Sequence, residues 1–428
     1  MAKKPLLGIL GGPKTVTFSW PPYPAIDHTE VHAATEVIMS RNLSDCGRGP
    51  FTARMEDAYA AYFGSTYCLS CCSGTSAIHA ALFAVGVKPG SEVLTCAHNW
   101  ISGITAILHA GGTPVFCDTA PHAWSIDPKE IARKATPNTK AVIVTHLWGI
   151  PADLDPILRA CKKLGLPVIE DVSHSHGSRY KGRYCGTIGE VGAFSLQGSK
   201  AITAGEGGFL LTDSDLCYQR ALVPGHHGVR LGSLTLDEMK PFAPSGGMWT
   251  YRIPTIAAAI ATAQLQKLPS LNAARQANFD RLHARLRKYD FITWPRLAPK
   301  SVRGWYGTPA LFNARKACLS RDTFVKACNA QGIAIGGEGY CDYSQIPLFQ
   351  DMSVFGQMFV RKHANGVEFK PSPKGSFPNY EAVRQSMLLF SVPHVELPIL
   401  MDQEADAFDM VIANFPALKK WEKEQEGK

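Results

Sequence analysis

The sequence has no long hydrophobic run. Within its 428 residues, no uninterrupted apolar stretch reaches the ~20 residues that cross a bilayer. The apolar stretch 5–10 follows two lysines, but it is shorter than the ~7–15 residues of a signal-peptide core, and the Gly-Gly-Pro at 11–13 ends it at once. We therefore expect no membrane contact and no secretion, and we predict a cytoplasmic protein.

The sequence also has no strongly charged tract. Its 44 basic and 36 acidic residues leave a net charge of +8, and the excess is spread along the chain. The densest basic runs are Arg285, Arg287 and Lys288, and a tail at 419–428 in which lysines are interspersed with glutamates. Solvated helix faces explain both runs, so we predict that the protein does not bind nucleic acid.

The 12 cysteines show neither a disulfide framework nor a structural metal pattern. Cys68 and Cys71 form a CxxC, but no second CxxC or suitably spaced histidine pair follows to complete a zinc site. His174 and His176 are two residues apart, which places them on opposite faces of an extended strand. We expect reduced, buried cysteines and no metal.

Between residues 68 and 211, short apolar runs alternate with helical patterns. Such runs are typical of a largely parallel sheet covered by helices on both faces, an α/β fold. Functional groups in these sheets collect just beyond the carboxyl ends of the strands, where Asp118 and Asp171 lie. The predicted strands are 92–95, 113–118, 141–145 and 166–171, and helices are predicted at 74–85 and around 154–161.

The C-terminal part predicts a smaller α+β unit. Helices are expected over 254–268 and 272–289, and the remainder to about Trp421 has its own strand-like and helical segments. No repeat or low-complexity linker marks a boundary. We predict a large domain at 1–260, which includes an N-terminal arm, and a smaller domain at 261–428.

Two features of the large domain are suited to holding a flat, anionic ligand. Ser73-Gly74-Thr75 opens a predicted helix, whose free N–H groups and positive dipole end favour an anion, and the small residues permit close approach. A simple helix cap is the alternative interpretation. Trp100 follows the strand at 92–95, and its indole could stack on an aromatic cofactor or serve as a core or interface tryptophan.

Two further features carry charge. Asp171 ends a hydrophobic strand, where a carboxylate is unfavourable without a cationic partner such as a protonated pyridine nitrogen. His174 could donate a hydrogen bond to a ring oxygen. Lys200 lies between the apolar segment 194–196 and the glycine-rich turn 204–208, where partial desolvation would lower its pKa and suit Schiff-base chemistry. An anion cradle, a stacking aromatic, a carboxylate and an amine together are what pyridoxal 5′-phosphate (PLP) requires.

These motifs resemble the DegT/DnrJ/EryC1/StrS family of PLP-dependent aminotransferases, which aminate keto-sugars and related cyclic ketones. The resemblance runs from about Ile9 to the C-terminal domain and is most specific between residues 68 and 260. It implies the aspartate-aminotransferase-like fold type I, with a mostly parallel sheet in a large domain and a smaller C-terminal α+β domain. The motifs are Ser73-Gly74-Thr75, Trp100, Glu170-Asp171 with His176-Gly177, the run from Gly186 to Lys200, and Gly205-Glu206-Gly207-Gly208.

The resemblance also implies the role of each site residue. Lys200 would form the internal aldimine and move the proton between substrate and cofactor, Asp171 would pair with the pyridinium nitrogen, and Trp100 would stack on the ring. The phosphate would be held by Gly74, Thr75 and Ser195. Lys200 and Asp171 are the predicted catalytic residues, and the full cofactor-binding set is Ser73, Gly74, Thr75, Trp100, Asp171, His174, Ser195, Gln197 and Lys200.

Two positions depart from the family pattern. Relatives often have glutamine where this chain has His174, although branches that make cyclitols or aminohydroxybenzoate resemble it in tolerating histidine. Relatives commonly have Asn-Tyr-Arg where this chain has Thr250-Tyr251-Arg252. That asparagine reaches the phosphate of the neighbouring subunit, so this contact stays open at Thr250. The family's shared catalytic site implies a homodimer.

The predicted function is amino transfer. An amino acid, glutamate or glutamine, would donate an amine, and a keto-sugar, cyclitol ketone or related cyclic ketone would accept it in a ping-pong cycle of aldimines and ketimines. Gln197 and the segment 176–179 favour branches resembling glutamine:scyllo-inosose aminotransferases, whereas the segment 337–343, expected near the substrate, matches no substrate class. One alternative is a dehydratase-like PLP enzyme, which Lys200 disfavours because the family's sugar dehydratases have histidine there. The other is a non-catalytic regulatory homologue.

Overall fold

The computed structural model describes residues 6–247, 249–337 and 339–426. Its strands, numbered in chain order, are Tyr67–Cys71 (β1), Glu92–Cys96 (β2), Thr113–Cys117 (β3), Thr139–Thr145 (β4), Val168–Asp171 (β5), Arg179–Tyr180 (β6), Arg183–Tyr184 (β7), Val191–Ser195 (β8), Gly208–Thr212 (β9), Ile292–Thr293 (β10), Thr308–Phe312 (β11), Ile335–Gly336 (β12) and Met387–Phe390 (β13). Its α-helices are His28–Ser40 (α1), Pro50–Phe63 (α2), Gly74–Ala84 (α3), Ser102–His109 (α4), Pro128–Lys134 (α5), Leu154–Leu164 (α6), Asp215–Leu222 (α7), Gly228–Leu231 (α8), Thr255–Leu286 (α9), Ala314–Ala317 (α10), Arg321–Ala330 (α11), Pro347–Gln350 (α12), Met352–Gly356 (α13), Pro378–Ser386 (α14), Pro398–Ala413 (α15) and Phe415–Glu426 (α16).

A seven-stranded sheet, in the order β1-β9-β8-β5-β4-β2-β3, lies at the centre of the N-terminal part. The strand β9 is antiparallel to both of its neighbours, and the other pairs are parallel. Each predicted strand and helix of this part is present, with ends shifted by a few residues at most. The predicted α/β fold class is confirmed.

Both faces of this sheet are buried. On β4, Val142 and Val144 pack into one hydrophobic cluster, and Ala141 and Ile143 pack into another, because successive side chains of a strand point to opposite faces. The first cluster includes residues of α2, α6 and α9, and the second includes residues of α3, α4 and α7. With both faces covered, the polar residues of the sheet are concentrated at the strand ends.

A second, four-stranded antiparallel sheet, in the order β10-β11-β13-β12, forms the C-terminal part. Its core contains Phe324 of α11 and Phe408 of α15, packed with Phe390 of β13. The N-terminal segment adds Leu7 and Val16 to the same core. The predicted α+β character of this part is therefore observed, with a contribution from residues far away in the sequence.

The two helices predicted over 254–268 and 272–289 are instead one helix, α9, which contains Pro269. Proline removes one backbone hydrogen bond and commonly breaks a helix. Here Leu268 and Leu271, on either side of it, are buried, and α9 packs against α1, α2 and α15. These tertiary contacts outweigh the local preference. The predicted division into 1–260 and 261–428 stays a prediction, and its boundary falls inside α9.

The densest basic run of the sequence faces acidic residues. Arg285 lies 2.9 Å from Asp406 and 2.7 Å from Asp409, and Lys288 lies 3.1 Å from Asp409. The acidic side chains of α15 thus offset the charge of α9. Among the described residues, no helix combines the length and the apolar character needed to cross a membrane.

Candidate active site

A cavity of about 410 Å³ opens at the carboxyl end of the large sheet. All nine residues predicted to bind the cofactor line it, although they come from four separate stretches of the chain. The other lining residues are Ile78, Ser102, Thr145, Ser173, Ser199, Glu206, Tyr306 and Tyr340. The tertiary structure therefore brings the predicted set together.

The N-terminus of α3 forms one wall of the cavity. Ser73 is the N-cap residue, and its Oγ accepts a hydrogen bond of 3.0 Å from the N–H of Ser76. Gly74 and Thr75 are the first helical residues, so their N–H groups have no partner within the helix. A Cβ at position 74 would lie only 2.6 Å from the Cβ of Ser195. Glycine lets the helix end approach β8 this closely and forms a cradle suited to an anion.

Asp171 is the last residue of β5 and is buried. Its Oδ1 accepts a hydrogen bond of 3.1 Å from the N–H of Ser173. Burial raises the pKa of this carboxyl, an effect that Ser173 and the charge of Lys200 partly oppose. Among the described residues, no cationic group forms an ion pair with Asp171 within 4 Å, so a cationic ligand atom would stabilise it.

Lys200 lies in the turn that follows β8 and is 8% exposed. Its Nζ is 4.2 Å from the ring centroid of Tyr306. Burial lowers the pKa of this amine, while Tyr306 and Asp171 oppose the shift. A lowered pKa leaves more of the amine neutral and nucleophilic than in free lysine.

Ser195 and Gln197 shape the backbone between β8 and Lys200. The Oγ of Ser195 accepts a hydrogen bond of 3.3 Å from the N–H of Gln197. The Oε1 of Gln197 accepts hydrogen bonds from the N–H and the Oγ of Ser199, at 2.8 and 2.7 Å. The N–H of Lys200 in turn donates to the carbonyl of Gln197 at 2.9 Å. These bonds hold the turn that presents the lysine.

His174 is a buried, neutral side chain between two tyrosines. Its ring stacks on Tyr306 with a centroid distance of 3.9 Å, and its Nε2 lies 3.2 Å from the hydroxyl of Tyr340. The backbone N–H of Trp148 points at Nδ1 from 3.5 Å, which assigns the proton to Nε2. Burial lowers the pKa of His174 well below its usual value, and the charge of Lys200 adds to the effect. The N–H of Nε2 is directed at Tyr340 here.

Trp100 lies at the cavity wall and is 44% exposed. Its ring is 5.1 Å from that of Tyr340 and 6.3 Å from that of Tyr343. A side chain this exposed is not part of the hydrophobic core. Two of the three roles considered for Trp100 therefore remain, stacking on the cofactor or packing at a subunit interface. Glu338, part of the segment 337–343 expected near the substrate, lies outside the described residues, whereas Tyr340 of the same segment lines the cavity.

Tyr306 is not among the predicted site residues, although it contacts both Lys200 and His174. It lies outside any motif, more than 100 residues after Lys200, and reaches the cavity from the C-terminal part of the chain. An isolated tyrosine gives no local signal of such a contact.

A hydrogen-bonded network lies beneath the site. The two carboxylate oxygens of Glu170 accept hydrogen bonds from His146 at 2.9 Å and from the N–H groups of Gly186, Ile188 and Gly189 at 2.6–2.9 Å. His146, Glu170 and Cys185 together place possible metal-ligand atoms within 4.8 Å of one another. Because the Glu170 oxygens already have four donors, the network accounts for the cluster without a metal, and it anchors the end of β5 to the loop after β7.

Comparison with known proteins identifies the family of this chain. A model of the DegT/DnrJ/EryC1/StrS aminotransferase family matches residues 24–355, well over half of the chain. The chain belongs to this family.

Three relatives of this family member illustrate the match. It is 34% identical over 275 residues to a Micromonospora echinospora protein that carries the name of an L-glutamine:3-amino-2,3-dideoxy-scyllo-inosose aminotransferase. The alignment covers 63% of the chain and 64% of that relative, less than two thirds of its length. The structure of an aminotransferase from Psychrobacter cryohalolentis matches with a TM-score of 0.81 and 24% identity, over 93% of this chain and all of the other.

A third relative is the GDP-4-keto-6-deoxy-D-mannose-3-dehydratase of E. coli, solved with hydrated PLP bound. It matches with a TM-score of 0.76 and 20% identity, over 91% of this chain and 99% of the other. At this identity the likeness concerns the fold. The predicted family and fold type are confirmed, and with them the predicted cofactor; the residues that hold it stay a prediction.

The cavity of this family member fits PLP on three observations. The close approach at Gly74 leaves backbone N–H groups for a phosphate. A buried carboxylate, Asp171, and a buried amine, Lys200, line the same cavity without forming an ion pair within 4 Å. A ligand with a cationic ring nitrogen at one end would compensate the carboxylate, and a carbonyl group on the same ligand would react with the amine.

Proposed function

We propose that the protein is a PLP-dependent aminotransferase that moves an amino group from glutamate or glutamine to a keto-sugar, cyclitol ketone or related cyclic ketone. The two substrates would react in turn, in a ping-pong cycle. The observation that carries the proposal is the position of Lys200, a buried amine with a lowered pKa beside the buried carboxylate of Asp171. A regulatory homologue would have no need to keep either group buried.

When bound, PLP supplies an electron-withdrawing ring that stabilises negative charge on the substrate carbon next to the amine. We assign the covalent attachment to the Nζ of Lys200, which would also carry the proton to and from that carbon. Asp171 would keep the ring nitrogen protonated. The N–H groups of Gly74 and Thr75, with the Oγ of Ser195, would hold the phosphate at the positive end of the α3 dipole.

Three further side chains would orient the ring. Trp100, half-exposed at the cavity wall, would cover one face. His174, whose Nε2 carries a proton, would donate a hydrogen bond to an oxygen on the cofactor ring once the ligand displaces the hydroxyl of Tyr340 from Nε2. Gln197 and Ser73 would support the turns that carry Lys200 and the phosphate site.

Amino transfer is favoured over dehydration by the identity of residue 200. The family's sugar dehydratases resemble this chain but have histidine at the position of the lysine, and histidine cannot attach the cofactor covalently. The Micromonospora relative, named for glutamine and a cyclitol ketone, supports the same classes of donor and acceptor here.

We further propose a cytoplasmic homodimer with shared active sites. Trp249 and Val229 are 56% and 67% exposed, and Met39 of α1 is 76% exposed, so large apolar side chains are available for a subunit contact. Trp249 adjoins Thr250, at the position where relatives contact the neighbouring phosphate. All 12 cysteines are unpaired, which agrees with a reducing compartment.

Borohydride reduction tests the assignment of the lysine. Reduction of the loaded protein should fix the cofactor on the peptide that contains Lys200, and Lys200→Ala should abolish both the lysine-bound absorption band and turnover. Lys181→Ala is the matched control, because Lys181 is exposed and pairs with Asp155 on the surface. Label on Lys181, or on no lysine, would contradict the proposal.

Separate half-reactions then test the chemistry. Glutamate or glutamine should bleach the band of the lysine-bound cofactor, and a cyclic ketone should restore it. A protein that eliminates water from a keto-sugar without consuming an amino donor would be a dehydratase instead.

A further inference from the structure

A second cavity, of about 210 Å³, adjoins the cofactor cavity. The two share Ser199 and Tyr306 as lining residues. The ring of Tyr306 contacts the amine of Lys200, so the second cavity begins on the wall next to the reacting group. Its remaining residues come from the N-terminal segment, α9 and the C-terminal part, and none of the motifs of the sequence includes them.

Arg275 of α9 lines this cavity and is 4% exposed. An arginine stays charged in proteins, and a buried charge is unfavourable without a partner. Yet no carboxylate among the described residues forms an ion pair with Arg275, and its Nη1 has no hydrogen-bond partner. Its one backbone contact is a long one, 3.5 Å from Nη2 to the carbonyl of Ala201, the residue after Lys200.

The neighbours of Arg275 cannot neutralise it. The ring of Tyr23 lies 5.9 Å from the guanidinium, and its hydroxyl is a polar partner of Arg275. Burial raises the pKa of that phenol although the charge of Arg275 and this hydrogen bond oppose the shift, so the phenol is neutral and supplies no negative charge. His394 packs edge-on against Tyr23 at 5.3 Å, and burial together with the charge of Arg275 lowers the pKa of His394. The positive charge of the guanidinium is therefore uncompensated.

Two more unpartnered donors belong to the same cavity. The Nε1 of Trp20 and the Oγ1 of Thr308 are buried without a hydrogen-bond partner, and both residues line it. An arginine, an indole N–H and a hydroxyl all donate hydrogen bonds. Together with an unbalanced positive charge, they form a site for a small anion, and the planar fork of the arginine matches a carboxylate through two parallel hydrogen bonds.

We propose that Arg275 binds the carboxylate of the amino donor and thereby positions its amine at the cofactor. The inference rests on the proposed aminotransferase function and adds to it the residue that recognises the donor. Tyr306 and Ser199 line both cavities, so Arg275 would hold the carboxylate of the donor in the second cavity while the amine of the donor reaches the first. The acceptor ketone would not need Arg275.

Calorimetry on the cofactor-loaded protein measures this binding without turnover. The probe is 4-carbamoylbutanoate, which is glutamine without its amine, and the neutral control ligand is pentanediamide. In Arg275→Gln, we expect the Kd of the carboxylate to rise about 30-fold or more, the scale of a buried charge pair that loses one partner. Binding of the neutral diamide should be unchanged in the variant.

Arg275→Lys keeps the charge but loses the planar fork, so the Kd of the carboxylate should rise less than in Arg275→Gln. It also provides the test if Arg275→Gln loses its cofactor or fails to fold. Arg303→Lys is the matched control. Arg303 is buried as well, but its Nη2 donates to the carbonyl of Gly307 at 2.8 Å. An unchanged carboxylate Kd in the Arg275 variants, or an equal rise in Arg303→Lys, would overturn the proposal.

The two half-reactions identify which substrate carries the carboxylate. Arg275→Gln should slow bleaching by glutamine by a similar factor and leave bleaching by 4-aminobutanamide, its decarboxylated analogue, unchanged. If only the reaction with carboxylate-bearing ketone acceptors slows, the assignment to the donor is wrong. If the wild-type protein reacts with no amino donor, the aminotransferase function fails, and the calorimetric comparison still decides whether Arg275 binds a carboxylate.

Discussion

Gly74 lies close to Ser195 in the candidate site, and the substitution Gly74→Ala tests what this close approach achieves. The new methyl group would lie 2.6 Å from the Cβ, 3.0 Å from the Cα and 3.1 Å from the Oγ of Ser195. Carbon atoms in contact are normally about 3.5–4.0 Å apart. The N-terminus of α3 and the end of β8 must therefore separate by roughly 1 Å.

The expected effect on stability is modest. Overpacking of this kind costs about 1–3 kcal/mol, and the better helix propensity of alanine offsets up to ~1 kcal/mol of that amount. The effect on the cofactor should be larger. The separation displaces the N–H groups of Gly74 and Thr75 from the Oγ of Ser195, and each hydrogen bond to a charged group is worth about 1.5–3 kcal/mol. Losing one of them would weaken PLP binding by roughly 10-fold to 150-fold, and losing both would weaken it further.

Titration of cofactor-free protein with PLP, followed by visible absorption, gives the Kd, and circular dichroism gives the Tm. Gly228→Ala is the matched control, because Gly228 is also the first residue of a helix but a Cβ there would meet its nearest neighbour at 3.4 Å. That variant should keep the wild-type Kd. If Gly74→Ala also binds PLP as tightly as the wild type, the phosphate is not held between α3 and β8.

Three further predictions follow from buried or exposed side chains of the structure. Asp171→Asn removes the counter-charge of the ring nitrogen, so kcat should fall by the equivalent of several kcal/mol while most of the bound cofactor, measured by absorption, is retained; unchanged kcat would refute the role of Asp171. Trp100→Ala should weaken PLP binding by roughly 1–3 kcal/mol and Trp100→Phe much less, with little change in the Tm of the cofactor-free protein because Trp100 is half-exposed; a lower Tm with an unchanged Kd would argue against stacking. Burial raises the pKa of Glu404 from 4.5 to about 8, so the folded state binds the extra proton and stability should fall as the pH rises from about 5 to 8. Glu404→Gln should reduce that fall by roughly 2–4 kcal/mol, measured by urea unfolding at both pH values, and an identical pH dependence in both proteins would show that Glu404 is already ionised at pH 5.

Much of the large domain could be predicted because its signals are local. The centre of β4, residues 141–144, is buried on both faces and is a continuous apolar run, so the strand is recognisable without knowledge of its neighbours. Lys200 and Asp171 stand out because each interrupts or ends an apolar segment with a charge. Small residues at 73–75 mark the start of α3 by the chemistry of helix capping itself.

The C-terminal part was less predictable because packing decided its structure. Pro269 lies within α9, where the local preference for a break is overcome by contacts of Leu268 and Leu271. Leu7 joins the C-terminal core from the other end of the chain. Neither outcome has a signal in the neighbouring residues.

The sequence by itself determined the family, the fold class and the nine residues expected to hold the cofactor, because these depend on short motifs and on short apolar runs within the strands. The tertiary structure alone decided which side chains from distant segments complete the site. Tyr306 meets Lys200, and Arg275 lies beside Ala201, only because α9 and the C-terminal part fold back over the carboxyl end of the sheet. A single tyrosine or arginine looks the same in sequence whether it faces water or a cavity, and its burial and missing partners exist only once the chain has folded.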